Sequence, residues 1–255
     1  MSIHPTAVIE NGAIIEEGTV IGPFSVIGPQ VTIGKNCVIH SHVTIDGNTS
    51  IGESNEFFPY ACIGKKTQDL KFTSGNPGVK IGDNNSVREY ATIHCATDDG
   101  DFTIVKNNCL IQAYCHVAHD CILEDNAILS SGAKLSGHVE VGKHAIISGM
   151  TGVIQFVKIG DYAFVGAYSK LTNDVPHYCI ADGIPARVAT INKIGLERNG
   201  FSKESIREIR RAFKCVFKSE DSMEDVLDTL SAMDNKHANK ILDFIESSKK
   251  GVLRK

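Results

Sequence analysis

Residues 15–50 read IEEGTV IGPFSV IGPQVT IGKNCV IHSHVT IDGNTS, six consecutive words of six residues, each opening on isoleucine. The period extends in both directions. Ile9 precedes it, and Ile51, Phe57 and Ile63 follow. Ile81, Val87 and Ile93 resume after one interruption, and Val105, Ile111, Val117 and their successors run in sixes to Leu171 after another. A helix repeats every 3.6 residues and a strand every two, so neither yields this spacing. A hexapeptide repeat predicts a parallel β-helix, in which three short strands and three corners make one coil and the aliphatic position stacks on itself as the core. Glycine and asparagine, common beside the aliphatic position, are expected to supply the left-handed corners.

The phase survives both interruptions, so the inserted residues must leave the core. KKTQDLKFTSGNPG (65–78) and ATDDGDF (96–102) read as ejected loops, the first a place to expect ligand contacts. The domain reading is a β-helix over 1–190 and a small α-helical domain over 191–255. In the latter, Ser202 is a candidate cap, Ile206, Ile209, Phe213, Val216 and Phe217 make an apolar face, and two further amphipathic segments follow around Val226 and Ile241. Arg207, Arg210, Arg211, Lys214 and Lys218 form a basic stripe on the first helix: a solvated face, or a dock for an acidic partner.

The net charge of −4 gives no reason to expect nucleic acid, and no apolar run is long enough to span a membrane. The repeat begins almost at the N-terminus, so a signal peptide is not expected. Cys109, Cys115 and Cys121 follow the hexad, which makes them buried fillers in a reducing compartment rather than a disulfide or metal set.

The strongest chemical signal is His116-Val117-Ala118-His119-Asp120. Val117 points inward, so His119 and Asp120 fall at a corner. A histidine beside a carboxylate is a natural general base, although two polar turn residues would look the same. Coil length sharpens the case. Residues one coil apart stack roughly 4.8 Å apart, which places Gly137 and then Gln155 above His119, and His138 above Asp120. A base with a free backbone N–H one coil above it suits acyl transfer to a nucleophile that the substrate supplies. The histidines at 94, 116, 119 and 138 also suggest a zinc set, but a glycine and a glutamine in the His119 column do not serve one.

IHPTA (3–7), IGPF (21–24), QDLK (68–71), HVAHDC (116–121), SGHV (136–139), GMT (149–151), DVPHY (174–178) and GLERNGFS (195–202) together resemble the acyl-carrier-protein–UDP-N-acetylglucosamine O-acyltransferases, first enzymes of lipid A synthesis, across nearly the whole chain. The resemblance implies a mainly β, left-handed parallel β-helix, a cytoplasmic homotrimer and active sites between subunits. It implies no cofactor, with the acyl chain delivered on the phosphopantetheine of acyl carrier protein. By the same likeness His119 is the base, Asp120 orients it and Gly137 supplies the oxyanion N–H. Asp69, Lys71, His116, His138 and Gln155 hold the UDP-sugar, Asn192 and Arg198 lie near the nucleotide or the carrier, Ala167 limits acyl length, and the basic stripe meets the carrier protein. Ile154, Cys95 and Asn199 depart from the family's pattern. N-acyl transfer to a 3-amino sugar, a zinc hydratase and a non-enzymatic β-helix remain as alternatives.

Overall fold

The computed structural model describes residues 2–253. Among them, the strands form three sheets of 11, 9 and 8 strands, the faces of a triangular prism. Strands of the first sheet include Ser2–Ile3, Val20–Ile21 and Leu110–Ile111; of the second, Val8–Ile9, His116–Val117 and Lys134–Leu135; of the third, Ile14–Ile15, Ile122–Leu123 and Glu140–Val141. Pairing is parallel, with Ser2 opposite Val20, His116 opposite Lys134 and Ile122 opposite Glu140. Each offset is the 18-residue coil that three hexads require. The hexad aliphatics lie in the interior, with Ile27, Ile63, Val117, Leu135 and Val165 fully buried.

The corners differ from expectation. Left-handed residues do fall at most sixth positions, but many are neither glycine nor asparagine: Phe24, His42, Tyr60, Tyr90, Tyr114, His138 and Phe156 all have φ between 59 and 67°, a conformation costing roughly 1–2 kcal/mol for a residue with a Cβ. Stacking offsets it. Phe24, His42, Tyr60, Tyr90 and Tyr114 form one ladder along the corner between the first and second sheets, with centroids 5.0, 5.1, 4.9 and 4.9 Å apart.

Both insertions leave from the corner between the second and third sheets. The first separates strands Cys62–Lys65 and Gly78–Ile81, the second Thr92–His94 and Phe102–Val105. The His119 corner, between His116–Val117 and Ile122–Leu123, is the next turn of that edge.

The coil ends differently from the sequence reading. An antiparallel hairpin, Cys179–Gly183 with Ala186–Ile191, extends the first sheet. Helices α1 (Lys193–Arg198), α2 (Lys203–Lys218), α3 (Met223–Ala232) and α4 (Lys236–Ser247) follow, capped by Asn192, Ser202, Ser222 and Asn235. The apolar face of α2 is buried as read, while the basic stripe of Arg207, Arg210, Arg211, Lys214 and Lys218 is exposed. After α4 the chain returns to the second–third corner, where the amide of Asp174 donates to Gly251 O and that of Leu253 to Asp174 O.

The eight cysteines are unpaired. The thiols of Cys109, Cys115 and Cys121 donate to the carbonyls of Glu124, Ser130 and Ser136 at 3.2, 3.1 and 3.1 Å, and burial pushes the Cys121 thiol up to about 12.

Because the core is one stacked column, truncating a member should be felt strongly. Leu129→Ala, at a side chain with no exposure, is expected to cost about 2–5 kcal/mol in chemical denaturation; a loss below about 1 kcal/mol would mean that the interior is not close-packed there.

Candidate active site

His119 and Asp120 occupy the corner as expected, but they do not project into solvent: their side chains are only 7% and 11% exposed. The ejected loops cover them. Thr97, in the second loop, donates its amide to Asp120 Oδ1 at 3.3 Å and sets its hydroxyl 3.1 Å from His119 Nδ1. Thr103 accepts the Asp120 amide at 2.9 Å. The left-handed turn at Asp120, φ 60°, swings its carboxylate back onto its own neighbour, and Oδ2 lies 2.7 Å from His119 Nδ1. An ionised carboxylate only accepts. Nδ1 therefore carries the proton, and Nε2 is the basic nitrogen.

Gly137 sits one coil above, and its lack of a side chain is required. A Cβ there would fall 2.2 Å from His119 Cε1 and 2.3 Å from Nε2, on top of the basic nitrogen. The amides on either side are engaged, Ser136 with Val153 O and His138 with His119 O, but among the described residues the coil gives the Gly137 N–H no acceptor. The same corner position elsewhere carries Pro5, Pro23, Pro29 and Pro59, which have no N–H. Elsewhere at this position an amide donates to a side chain, as that of Lys143 does to Asp161 Oδ1 at 2.9 Å, so the free Gly137 N–H beside His119 is a local feature.

His138 follows on its own left-handed corner. Its Nε2 is 3.6 Å from Asp120 Oδ2, and its ring stacks on Phe156 at 4.5 Å. Gln155 is exposed two coils above His119. On the second sheet, His116 Nδ1 is 2.7 Å from Thr92 Oγ1. Burial, and then His94, hold the His116 ring down to about 4, so it is neutral at pH 7. His94 is buried beside it, edge-on at 5.0 Å, and its Nδ1 has no partner among the described residues. In the first loop, Asp69 Oδ1 accepts the Lys71 amide at 3.0 Å, the chief reason its carboxyl is held below the usual range. The Lys71 side chain is exposed at the mouth.

The sequence pointed to the histidines, Asp120, Gly137 and the first loop, and missed Thr92, Thr97, Thr103 and Phe156. The shared corner of both insertions was the signal for Thr97: Ile63, before the first, pairs with Ile93, before the second, and Ile93 pairs with Val117.

His119, Asp120 and His138 also present ligand atoms within 4.8 Å of one another. Two donors of one tetrahedral zinc, each about 2.0–2.1 Å from it, lie about 3.3 Å apart. The 2.7 Å contact of His119 with Asp120 is a hydrogen bond, and that pair does not fit as co-ligands in this arrangement.

The remaining assigned residues are elsewhere. Asn192, Arg198 and Arg210 line a groove of about 660 Å³ over the first sheet, floored by Ile146, Phe164 and Ile180. Asn192 is nearly buried and already committed, its amide donating to Tyr162 O at 2.9 Å and its oxygen accepting from Gly195 N at 3.1 Å. In a triangular prism the first sheet is the face opposite the second–third corner, so one chain does not bring this groove to His119. Ala167 lies on the first–second corner, also away from His119. Arg207, Arg210, Arg211 and Lys214 line a separate cleft with Glu204 and Glu208, and Lys218 ends that helix.

A coil of hexads places the chain among the bacterial hexapeptide-repeat transferases, and the profile of that class matches residues 12–47 and 102–137. A second profile, UDP-N-acetylglucosamine O-acyltransferase domain 2, matches 174–253. Whole-chain likeness agrees. The UDP-N-acetylglucosamine acyltransferase of Francisella novicida is 36% identical with a TM-score of 0.97, over 99% of this chain and 94% of that one. The Moraxella catarrhalis UDP-N-acetylglucosamine O-acyltransferase is 38% identical with a TM-score of 0.97, and the Campylobacter jejuni UDP-N-acetylglucosamine acyltransferase 36% with 0.94, each over 100% of both chains. The chain belongs to the UDP-N-acetylglucosamine O-acyltransferase family and is an acyltransferase.

The neutral, half-buried His116 has a consequence for stability. Its folded value, about 4, lies below the roughly 6.5 of an unfolded histidine, so its contribution is full above pH 6.5 and is lost as pH falls toward 4. His116→Asn should flatten the decline of denaturation midpoint between pH 7 and pH 4.5; parallel declines in the two proteins would contradict the assignment.

Proposed function

We propose that the protein transfers a 3-hydroxyacyl chain from acyl carrier protein to the 3-hydroxyl of UDP-N-acetylglucosamine, the first step of lipid A synthesis, and that it does so in the cytoplasm. No helix of the described residues is long and apolar enough to cross a membrane. The observation that carries the mechanism is the Gly137 amide left free by the coil beside His119 Nε2.

His119 Nε2 takes the proton of the sugar 3-hydroxyl, and the oxygen attacks the thioester carbonyl. The carbonyl oxygen, now negative, accepts from the Gly137 N–H. The intermediate collapses with loss of the phosphopantetheine thiolate, which recovers the proton from His119. Asp120 holds Nδ1 and steadies the imidazolium between the two transfers. Asp69, Lys71, His116, His138 and Gln155 bind the UDP-sugar, and Ala167 contributes to the limit on acyl length. The exposed Arg207, Arg210, Arg211, Lys214 and Lys218 receive the acidic carrier protein.

Asn192 and Arg198 belong to this site only if they come from another copy, because their groove faces away from His119. A homotrimer with the site between subunits satisfies that requirement.

The direct test mixes 3-hydroxyacyl carrier proteins of several lengths with UDP-N-acetylglucosamine or its 3-amino analogue and reads products by mass spectrometry. An acylated UDP-N-acetylglucosamine is expected, with the rate about 10²–10⁴-fold lower in folded His119→Ala. Product only from the amino analogue would replace O-transfer by N-transfer, and none from either would end the proposal.

Subunit sharing has its own signature. His119→Ala and Arg198→Ala subunits, each poorly active alone, should recover activity when refolded together, since mixed trimers contain sites lacking both changes. No recovery from demonstrably mixed trimers would place both residues in the same subunit's site.

A further inference from the structure

Thr97 reaches both halves of the site. Its hydroxyl is 3.1 Å from His119 Nδ1, 3.4 Å from Asp69 Oδ2 and 3.4 Å from Thr67 Oγ1. Its amide reaches Asp120 Oδ1 at 3.3 Å. The residue is 7% exposed, so solvent does not compete freely for these contacts. Thr67 in turn accepts the Asp69 amide at 3.1 Å, which pins the first loop to the same point.

A hydroxyl has one proton and two lone pairs. His119 Nδ1–H, shared between Asp120 and Thr97, uses one lone pair of the threonine oxygen. The threonine proton is then left for Asp69 Oδ2. The chain Asp120, His119, Thr97, Asp69 is thus continuous, and its directions are fixed by the carboxylates at both ends, which only accept. Asp69 sits on the loop assigned to the sugar, whereas His119 does the chemistry.

From this geometry we infer that Thr97 is a positioning residue, a latch through which the sugar-binding loop sets the orientation of the base. Sugar contacts at Asp69 and Lys71 tighten the loop, and Thr97 transmits this to the His119 ring. The inference rests on the proposed acyl transfer for its kinetic effect, but not for its structural one.

The experiment has two arms. In kinetics, Thr97→Val keeps the shape and removes the hydroxyl. It should lower kcat about 10- to 100-fold, the scale of small misplacements of a catalytic group, and raise KM for UDP-N-acetylglucosamine while leaving KM for the acyl carrier protein unchanged. Thr97→Ser should restore both constants. General damage to the fold would move both KM values, and wild-type constants in Thr97→Val would overturn the latch.

The second arm needs no substrate. The ring resonances of His119 are followed by NMR in the free protein. Asp69→Asn should shift them clearly more in the wild-type background than in Thr97→Val, where only the through-space charge effect is left. Equal shifts in both backgrounds, or none in either, would overturn the latch even if transfer is confirmed. An inactive wild-type protein would sink the transfer reading while leaving this arm decisive.

Discussion

The stacking of one aliphatic position on itself, coil after coil, is the constraint on which the rest of this molecule depends. Each inward residue is buried by its counterparts one coil below and one above, and no single coil can bury its own face. The demand for a side chain at a fixed spacing forces the 18-residue turn. That turn fixes which polar corner residues become neighbours. His119, Gly137 and Gln155 are brought into line by the core beneath them, without any long-range recognition between them. Insertions are tolerated only where they do not disturb this stack, which is why both long loops begin and end at corners.

The same coil explains how a backbone amide becomes available for chemistry. In an ordinary sheet a buried N–H must be paired, and an unpaired one costs free energy. Here, among the described residues, several corners carry a position whose amide has no ladder partner, and the chain fills some of them with proline. Such a position is harmless at the surface. Next to His119 it leaves a free donor beside the ring, the group that the proposed acyl transfer uses to meet developing negative charge. Glycine is required because any Cβ would lie against the ring of His119. A small residue and an unused donor thus answer a single geometric requirement.

Period and phase made the coil, its loops, the His119–Gly137–Gln155 column and the apolar face of α2 readable directly. They are local or strictly periodic properties, and a constant translation of 18 residues converts them into space. What stayed hidden depends on non-periodic contacts. Thr97 lies inside an insertion, where the phase is silent, and its side chain meets His119 only because the loop folds back. The hairpin at 179–191 follows the last regular hexads, where there is no period to extrapolate. The aromatic corners at Tyr60, Tyr90 and Tyr114 contradict the usual preference for glycine and asparagine, and only their stacking across coils accounts for them. The separation of Asn192 and Arg198 from His119 was implicit in the prism, but their position over the first sheet had to be seen.

That separation bears on how such a scaffold acquires two-substrate chemistry. A convex prism has corners and faces but no deep cleft, and a small donor and acceptor bound on one edge would remain open to water. Covering the edge with loops encloses the base, as the low exposure of His119 and Asp120 indicates. In the proposed homotrimer, the edge of one prism would meet the opposite face of another, and a closed rotational assembly would repeat that apposition. The groove floored by Ile146, Phe164 and Ile180 and edged by Arg198 and Arg210 has the chemistry such a wall needs: apolar where it must exclude water, and cationic where it must meet phosphate.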